Sequence, residues 1–171
     1  ILVKKNYSLK KPLIIYQITN EKVSNTNINF QLNFDLEESS SIKIVNFSED
    51  NSEKNFINNL FNFNLDKNAI LKNYKIDKKN NTNIKYDYSS IIQKENSISE
   101  TFIFSSGSDY VKNEVNCNLE GKYSSAFING IHLLSKNKHH EIRTNTNHLY
   151  ENTKSYQLIK SVIDDSSKSV Y

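Results

Sequence analysis

A run of ten residues near the N-terminus alternates strictly between apolar and polar side chains, and it constrains the fold more than any other stretch. Ile28, Phe30, Leu32, Phe34 and Leu36 are apolar, and the residues between them are Asn, Gln or Asp. A period of two places all five apolar side chains on one face of a β-strand, whereas a helix would scatter them around its circumference. The stretch therefore predicts a half-buried strand with one apolar and one wet face.

Short apolar or β-branched runs separated by polar breaks occupy the rest of the chain. The segment 56–60 could form a helical turn, but alternation resumes behind it, and we favour a strand by Leu60. Residues 48–55 are predicted to form a long exposed loop, and residues 21–26 and 77–83 form polar corners. The other predicted strands lie at 13–19, 42–47, 61–65, 69–76, 84–88, 101–104, 111–119, 126–134, 141–150 and 155–163.

Strand centres recur roughly every 12 to 15 residues with no long helix between them, which suits a sandwich, a barrel or a solenoid. Three observations favour the solenoid. The Asn-Gly pair that is typical of hairpins occurs only at Asn129-Gly130, inside a predicted strand. No single turn chemistry repeats at the corners. Asn and Ser are common there, and stacked side-chain amides can hydrogen-bond between neighbouring turns of a solenoid.

Composition argues against several classes of partner. The formal net charge of +3 over 171 residues is too small to imply nucleic acid or an anionic membrane. No apolar segment approaches the roughly 20 residues of a membrane span, and no signal-peptide pattern opens the chain. The single cysteine, Cys117, cannot form an internal disulfide, which fits a reducing compartment.

Common enzyme motifs are missing from the sequence. Three glycines, at positions 107, 121 and 130, cannot supply a phosphate loop or a dinucleotide-binding loop. His140 and Glu141 begin like the zinc motif His-Glu-x-x-His, but Thr144 stands where the second His belongs. That motif also needs a helix, and this segment is predicted as a corner that enters a strand. We therefore expect no metalloprotease site.

Five carboxylates are candidates for a catalytic pair. Asp109, Glu114 and Glu120 could meet across neighbouring turns, as glycoside-cleaving solenoids require, but the sequence does not group them. Asp164 and Asp165 are adjacent, so that in a strand they would face opposite sides, and a turn is the better prediction. The sequence thus names no catalytic residue.

Three histidines, His139, His140 and His148, are candidate metal ligands because imidazole suits Zn, Fe or Cu. The interpretation that we favour places His139 and His140 exposed at a corner, where replacement by Ala should cost at most about 0.5 kcal/mol. His148 ends an alternation with Thr144 and Thr146, which predicts a partly buried and hydrogen-bonded ring. Removal of that ring should cost about 1–3 kcal/mol.

Cys117 lies on the same side of its predicted strand as Val115 and Leu119. A cysteine in that position is expected to be buried, to have a raised pKa and to react poorly. The alternative is a ligand for a cluster or a persulfide. A single cysteine is not enough for an iron–sulfur cluster, which usually takes four protein ligands.

The order of residues in the last third of the chain resembles the SufD branch of the SufB/SufD family of iron–sulfur cluster assembly scaffolds. A Leu and a Gly precede a strand there, and a second Gly, a corner with His and a Thr-rich strand ending in His follow. The residues that carry the resemblance are Leu119, Gly121, Gly130, His139 or His140, Thr144, His148, Ser155, Gln157, Lys160, Ile163 and Asp164.

This resemblance implies an all-β fold, the right-handed parallel β-helix that SufB and SufD share, with about two strands per turn and about five or six turns. It also implies a scaffold without catalysis of its own, which pairs with SufB and binds the SufC ATPase through a C-terminal helical domain. An iron–sulfur cluster would be assembled transiently by the full complex, and no cofactor is expected in this chain. The compartment would be the cytoplasm, or the stroma in a plastid-bearing host.

The chain begins at Ile1 and ends at Tyr171, both within apolar runs, which predicts a β-helix core cut at both ends and an edge prone to pair with other chains. The helical domain and the residues at the SufB interface are expected beyond it. The alternatives to a scaffold are a secreted carbohydrate-active β-helix and an adhesin-like β-helix.

Overall fold

The computed structural model describes residues 1–20, 22–78 and 81–171, which contain thirteen β-strands and no helix. None of these residues lies in a helix that is long and apolar enough to cross a bilayer. The strands are β1 Leu2–Val3, β2 Leu13–Thr19, β3 Asn27–Leu36, β4 Ser41–Asp50, β5 Phe56–Leu65, β6 Ile70–Asp77, β7 Ile84–Gln93, β8 Ile98–Ser105, β9 Tyr110–Leu119, β10 Ser125–Leu134, β11 His139–His148, β12 Lys154–Ile163 and β13 Lys168–Val170.

Successive strands alternate between two sheets. One sheet has seven strands in the order β1-β3-β5-β7-β9-β11-β13, and the other has six in the order β12-β10-β8-β6-β4-β2. All pairs of neighbours are parallel, as in the pairing of Asn27 with Phe56 and of Ser41 with Ile70, 29 positions apart in both cases. The chain therefore winds into a β-solenoid of about six turns, with two strands per turn. This confirms the predicted fold class.

Alternate residues of each strand point into the space between the sheets, and the two ends of that space differ. Where odd-numbered strands end and even-numbered strands begin, buried Phe34, Phe63, Ile91 and Cys117 form a continuous column. We call this side the apolar end. The opposite side, where even-numbered strands end, buries polar and charged residues and is called the polar end. Phe34 and Phe63 stack with ring centroids 5.0 Å apart, so the apolar core is packed from turn to turn.

The corners at the apolar end share one backbone feature that the sequence did not reveal. Each contains one residue with a positive φ, close to the left-handed region. That residue's N–H donates to a carbonyl of the next turn in four cases, for example from Asn68 to Glu95 at 2.9 Å. Asn tolerates this conformation better than most residues. The expectation that no turn chemistry repeats is therefore wrong for this side. The residues are Asn6 (61°), Ser39 (57°), Asn68 (59°), Asn96 (56°), Tyr123 (62°) and Asn152 (59°).

Amide stacking between turns, which the sequence suggested for the corners, also occurs along the strands. Asn62 Nδ2 donates to Asn33 Oδ1 at 2.8 Å on the outer face of the seven-stranded sheet. At a corner, the Asn55 N–H donates to Asn83 Oδ1 at 2.9 Å. Side-chain amides therefore bond to each other between successive turns on the strand face, whereas at this corner the side-chain amide of Asn83 bonds the backbone of the neighbouring turn.

Two local predictions are wrong. Residues 48–55 do not form an exposed loop, because β4 runs to Asp50 and the side chains of Ser48, Asp50, Ser52 and Asn55 are buried. An acidic, Asn-rich composition suggested a solvated loop, but these groups hydrogen-bond inside the solenoid. The second error is the start of the corner predicted at 77–83, since Asp77 still belongs to β6 and is buried, whereas the described residues 78 and 81–83 lie between β6 and β7 as predicted. Lys79 and Asn80 of that corner, and Glu21 of the corner at 21–26, lie outside the described residues.

Strand β7 exposes the residues that its apolar pattern would have placed inside. Ile84 is 48% exposed, and Tyr86 and Tyr88 lie half-buried on the outer surface. The inward positions belong to Lys85 and Asp87, which are buried. The strand was predicted correctly, but its orientation depends on partners in neighbouring turns that alternation alone does not reveal. The segment 56–60 is part of strand β5, which resolves the choice between helix and strand.

Candidate functional site

The polar end of the interior is the candidate functional site, since it concentrates the buried groups that can ionise or transfer protons. Ser48, Asp77, Ser105 and His132 occupy one row of the six-stranded sheet, one residue per turn. In the facing sheet, Lys85 and His140 occupy one row, and Asp87 lies two residues beyond Lys85. Parallel pairing in register therefore builds a polar seam that runs along the solenoid. This seam contains two clusters, one of ion pairs and one of histidines.

The ion-pair cluster joins strands β6 and β7 across the interior. Lys75 Nζ lies 3.2 Å from Asp87 Oδ2, and Lys85 Nζ lies 4.0 Å from Asp77 Oδ1. Asn59 Nδ2 also donates to Asp87 Oδ1 at 2.6 Å. All four charged side chains are at most 10% exposed. The cluster surrounds an internal cavity of about 10 Å³, which is the space of about one water molecule.

The pKa shift favours the charged form in two of the four groups and the neutral form in the other two. Burial lowers the pKa of Lys75, although Asp87 opposes the change, and burial raises the pKa of Asp77. The pKa of Asp87 is lowered, because Lys75 and Lys85 together outweigh its burial. The pKa of Lys85 is raised against its burial by Asp77, Asp87 and Asp50. Asp87 and Lys85 therefore form the stable charged centre of the cluster.

The histidine cluster follows further along the seam. His140 Nδ1 lies 2.8 Å from Ser105 Oγ, and His140 Nε2 lies 2.7 Å from the carbonyl oxygen of Ser108. The ring of His132 meets the ring of His140 edge-on at 5.6 Å, and His132 Nδ1 lies 2.7 Å from Ser169 Oγ. Both histidines are fully buried.

These contacts determine the chemistry of the two rings. A carbonyl oxygen only accepts hydrogen bonds, so His140 Nε2 carries the proton and Nδ1 accepts from the Ser105 hydroxyl. Burial lowers the pKa of His132 and of His140 to about 4, so both rings are neutral near pH 7. A hydroxyl that donates to imidazole resembles an activated nucleophile. Ser105 is fully buried, however, and no substrate can reach it without opening of the solenoid.

The three histidines proposed as metal ligands are not brought together. His139 lies half-buried on the outer surface, with its ring 5.0 Å from that of Tyr110, whereas His140 points inward. The prediction that His140 is exposed is therefore wrong. The prediction of a partly buried His148 is also wrong, because it is exposed and hydrogen-bonds to Thr153 and Ser155. Strand β13 covers only residues 139–141 of β11, which leaves the remainder of β11 paired on one side.

Cys117 behaves as the sequence predicted. It is fully buried in the apolar core between the columns of Val115 and Leu119, and burial raises the pKa of its thiol to about 12. A thiol with that pKa is protonated at neutral pH and is a poor nucleophile or metal ligand. The structure thus supports the role of a small apolar core residue.

The candidate carboxylates are also dispersed. Glu114 accepts from the Tyr86 hydroxyl at 3.2 Å, and Glu120 pairs with Lys94 at 2.7 Å. Asp109 lies at the corner between β8 and β9, and Asp164 and Asp165 form the predicted turn. Within residues 1–20, 22–78 and 81–171, no group of three or more His, Cys, Asp and Glu side chains is arranged to hold a metal ion.

The sequence alone does not indicate the polar seam, because each of its residues looks like a surface residue. Lys75, Asp77, Lys85 and Asp87 fit a solvated strand edge, and His132 belongs to no recognisable motif in the sequence. A signal was available in their spacing. Asn59 and Asp87, and likewise Asp77 and Ser105, lie 28 positions apart, the separation of paired residues in neighbouring turns here. Polar residues that recur once per turn at inward-facing strand positions indicate a buried row of polar side chains.

Comparison with known proteins identifies the fold family. The family model described as SUF system FeS cluster assembly, SufBD core domain, matches residues 18–171. The chain belongs to the SufBD core domain family. No curated protein matches the chain. The assignment covers the whole solenoid apart from β1 and most of β2.

Several residues that carried the sequence resemblance contact one another in the SufBD core. Thr144 Oγ1 donates to Gln157 Oε1 at 2.7 Å, and His148 Nε2 lies 3.0 Å from Ser155 Oγ. Gly121 lies so close to the preceding turn that an added Cβ would be 2.0 Å from the Glu95 backbone nitrogen. The contacts of Thr144 and His148 therefore join strands β11 and β12 within one turn, and Gly121 allows close contact between successive turns.

Proposed function

We propose that this chain is the core of a SufD-type scaffold subunit that takes part in iron–sulfur cluster assembly without catalysing a reaction itself. The observation that carries the proposal is the match to the SufBD core domain over residues 18–171. The SufD branch is favoured over SufB by the segment from Ser155 to Val170, because SufB chains usually have a Gly-rich, Arg-containing version of this strand pair.

The absence of catalysis is supported by the state of the reactive groups. Ser105, His132 and His140 are sealed inside the solenoid, and the thiol of Cys117 is buried with a pKa of about 12. Enzymes of this shape need catalytic groups on an accessible surface, where substrate can approach within hydrogen-bond reach. The interior groups instead pair with one another, which suits a body that positions other subunits.

The partners in this proposal are a SufB-type subunit and the SufC ATPase, with an iron–sulfur cluster as cargo rather than as a resident cofactor. The complex would operate in the cytoplasm, or in the stroma of a plastid-bearing host. Neither nucleic acid nor a membrane is required by the proposal. A secreted carbohydrate-active enzyme gains no support, since Asp109, Glu114 and Glu120 lie in separate contacts.

Co-purification tests the proposal. The protein that carries this chain would be tagged and co-expressed with SufB-type and SufC-type subunits, with a second SufB-type subunit in its place as the control. A stoichiometric complex that depends on this chain, and that forms a cluster when iron, a sulfur source and ATP are supplied, is the expected result. Failure to retain either SufB or SufC, or a complex that forms equally well with two SufB-type subunits, would contradict the SufD assignment.

A further inference from the structure

The cavity inside the ion-pair cluster is lined by buried polar atoms that have no hydrogen-bond partner among the described residues. These atoms are Asn46 Oδ1, Lys75 Nζ and both carboxylate oxygens of Asp77. The three residues are at most 7% exposed. Buried polar atoms in proteins are nearly always hydrogen-bonded, either to the protein or to ordered water. The lining therefore indicates a small polar ligand that bonds to these atoms.

Strand pairing brings these three side chains to one place. Asn46 and Lys75 are register partners on β4 and β6, and Asp77 lies two positions beyond Lys75 on the same inward face. Neighbouring parallel strands are about 4.8 Å apart, and residues two positions apart on one strand are separated by about 6.6 Å. Lys85 reaches the same region from β7 in the opposite sheet, since its Nζ lies 4.0 Å from Asp77 Oδ1. Four polar side chains therefore converge on the cavity.

The direct contacts of the cluster leave these polar groups only partly used. Lys75 Nζ lies 3.2 Å from Asp87 Oδ2, but without the angle of a hydrogen bond. The 4.0 Å between Lys85 Nζ and Asp77 Oδ1 is too long for a hydrogen bond. The Ser108 N–H lies close enough to Asp77 to oppose the rise in the pKa of its carboxyl group, but it does not reach hydrogen-bond geometry. An ammonium group has three N–H donors, so both lysines are able to donate to a further partner.

We propose that the cavity binds a single water molecule that joins the two sheets. The water donates its two hydrogens to Asn46 Oδ1 and Asp77 Oδ1, and it accepts hydrogen bonds from Lys75 Nζ and Lys85 Nζ. Two acceptors and two donors match the full hydrogen-bonding capacity of a buried water. Two atoms that share one water lie about 4 to 5 Å apart, so the separation of Lys85 Nζ and Asp77 Oδ1 is that of a water-bridged ion pair.

Size and charge favour water over an ion in this cavity. The volume of about 10 Å³ is close to that of one water-sized sphere. Lys75 and Lys85 repel a cation, and Asp77 and Asp87 repel an anion, in an interior where charges are weakly screened. A neutral ligand with one heavy atom that both donates and accepts hydrogen bonds meets both conditions, and water is that ligand.

The water has a structural role at the polar end of the interior. Asn46, Lys75 and Asp77 belong to β4 and β6 of the six-stranded sheet, whereas Lys85 belongs to β7 of the seven-stranded sheet. The water therefore links the two sheets at a level where the ion pair between Lys85 and Asp77 is too long to do so directly. It also gives a partner to Asn46 Oδ1 and to the Asp77 carboxylate, which would otherwise be costly to bury.

A high-resolution crystal structure of the intact, unsubstituted chain tests the proposal. We expect one density peak in the cavity, about 2.7–3.2 Å from Asn46 Oδ1, Asp77 Oδ1 and the Nζ atoms of Lys75 and Lys85. Crystals soaked in rubidium bromide should show no anomalous peak there, although both of these ions scatter anomalously. A rubidium or bromide peak in the cavity would overturn the proposal. So would a cavity without density, or one closed by direct hydrogen bonds between Asp77 and the lysines.

Magnetic relaxation dispersion of the water oxygen counts long-lived internal waters in solution and supplies a second test. Asn46→Leu replaces the amide with an apolar side chain of similar size, so the count should fall by one. Asn62→Leu is the matched control, because Asn62 bonds to Asn33 on the outer face, and it should leave the count unchanged. An unchanged count in Asn46→Leu, or an equal fall in Asn62→Leu, would overturn the proposal. The crystallographic test uses the unsubstituted chain and so does not depend on whether Asn46→Leu folds.

Discussion

The two ends of the solenoid interior are built on the same backbone ladder but stabilised by different forces. The apolar end buries Phe34, Phe63 and Leu119 and has corners of four to nine residues, each with one positive-φ residue. The polar end buries Lys75, Asp87 and His140 and has corners of four to seven residues. Parallel strand pairing satisfies the backbone hydrogen bonds at both ends. The inward side chains can therefore be apolar at one end and polar at the other.

The difference teaches where stability should depend on volume and where it should depend on charge. At the apolar end, a lost side chain leaves a cavity, and the cost scales with the missing volume. At the polar end, a lost partner leaves an uncompensated charge or an unpaired polar group in a water-poor interior. Substitutions at matched buried and exposed positions can therefore distinguish the two ends.

The largest effect is expected at the apolar end. Phe63→Ala should lower the free energy of unfolding by about 4 kcal/mol, because it removes a ring stacked on Phe34 at 5.0 Å and leaves a cavity. Urea denaturation followed by circular dichroism measures the change. Phe56→Ala is the control, since that ring is 40% exposed, and it should cost less than about 1 kcal/mol. Equal losses would mean that this column does not dominate the core.

The next effect concerns charge at the polar end. Asp87→Asn should cost about 3 kcal/mol, because the nearly isosteric amide leaves Lys75 and Lys85 without their shared counter-ion. Asp35→Asn, on the outer surface, should change stability by less than about 0.5 kcal/mol. The same denaturation assay applies. A loss below about 1 kcal/mol for Asp87→Asn would show that water already compensates the lysines.

The polar end should also make stability depend on pH. His132 and His140 have folded pKa values of about 4, below the usual 6.5, so the unfolded chain binds more protons between these values. The two histidines therefore do not lower the free energy of unfolding above pH 6.5. Between pH 6.5 and pH 4 that free energy falls, by up to about 3 kcal/mol per histidine. Asp77 acts in the opposite direction, because its raised pKa favours the protonated folded state.

Thermal unfolding at closely spaced pH values measures this dependence. In His140→Gln, the slope of stability against pH between 4 and 6.5 should be clearly reduced. His139→Gln should leave the slope unchanged, because its ring lies on the outer surface against Tyr110. A flat profile in the unsubstituted chain would mean that both rings titrate in the folded state as they do in the unfolded one.

A smaller effect separates His140 from His148. His140→Ala should cost about 1–3 kcal/mol, because Ser105 Oγ and the Ser108 carbonyl lose their partner in the interior. His148→Ala should cost less than about 0.5 kcal/mol, since His148 is exposed. This order is the reverse of the one expected from the sequence. Similar losses at both positions would mean that His148 contributes to stability as a partly buried ring would.

The smallest effect tests the corners of the apolar end. Asn68→Ala should cost about 1 kcal/mol, because its φ of 59° disfavours a residue with a plain Cβ. Asn68→Gly should remain within about 0.5 kcal/mol. Asn137→Ala, at a corner position of the polar end outside the positive-φ set, serves as the matched control and should be close to neutral.

Much of the fold follows from local sequence pattern. The alternation from Ile28 to Leu36 predicted strand β3, and the side shared by Val115, Cys117 and Leu119 is buried as expected. The candidate site did not follow in the same way. Lys85 and Asp87 looked like surface residues, because alternation identifies the two faces of a strand but not which face is covered.

The sequence by itself determined the strands, their approximate spacing, the all-β class and the family, because alternation and residue order are local properties of the chain. Only the tertiary structure decided which face of β7 points inward and that His140 is buried while His148 is exposed. The physical reason is that burial depends on neighbouring turns about 29 residues away. A charged side chain is stable inside only when those turns supply its counter-ion and hydrogen-bond partners.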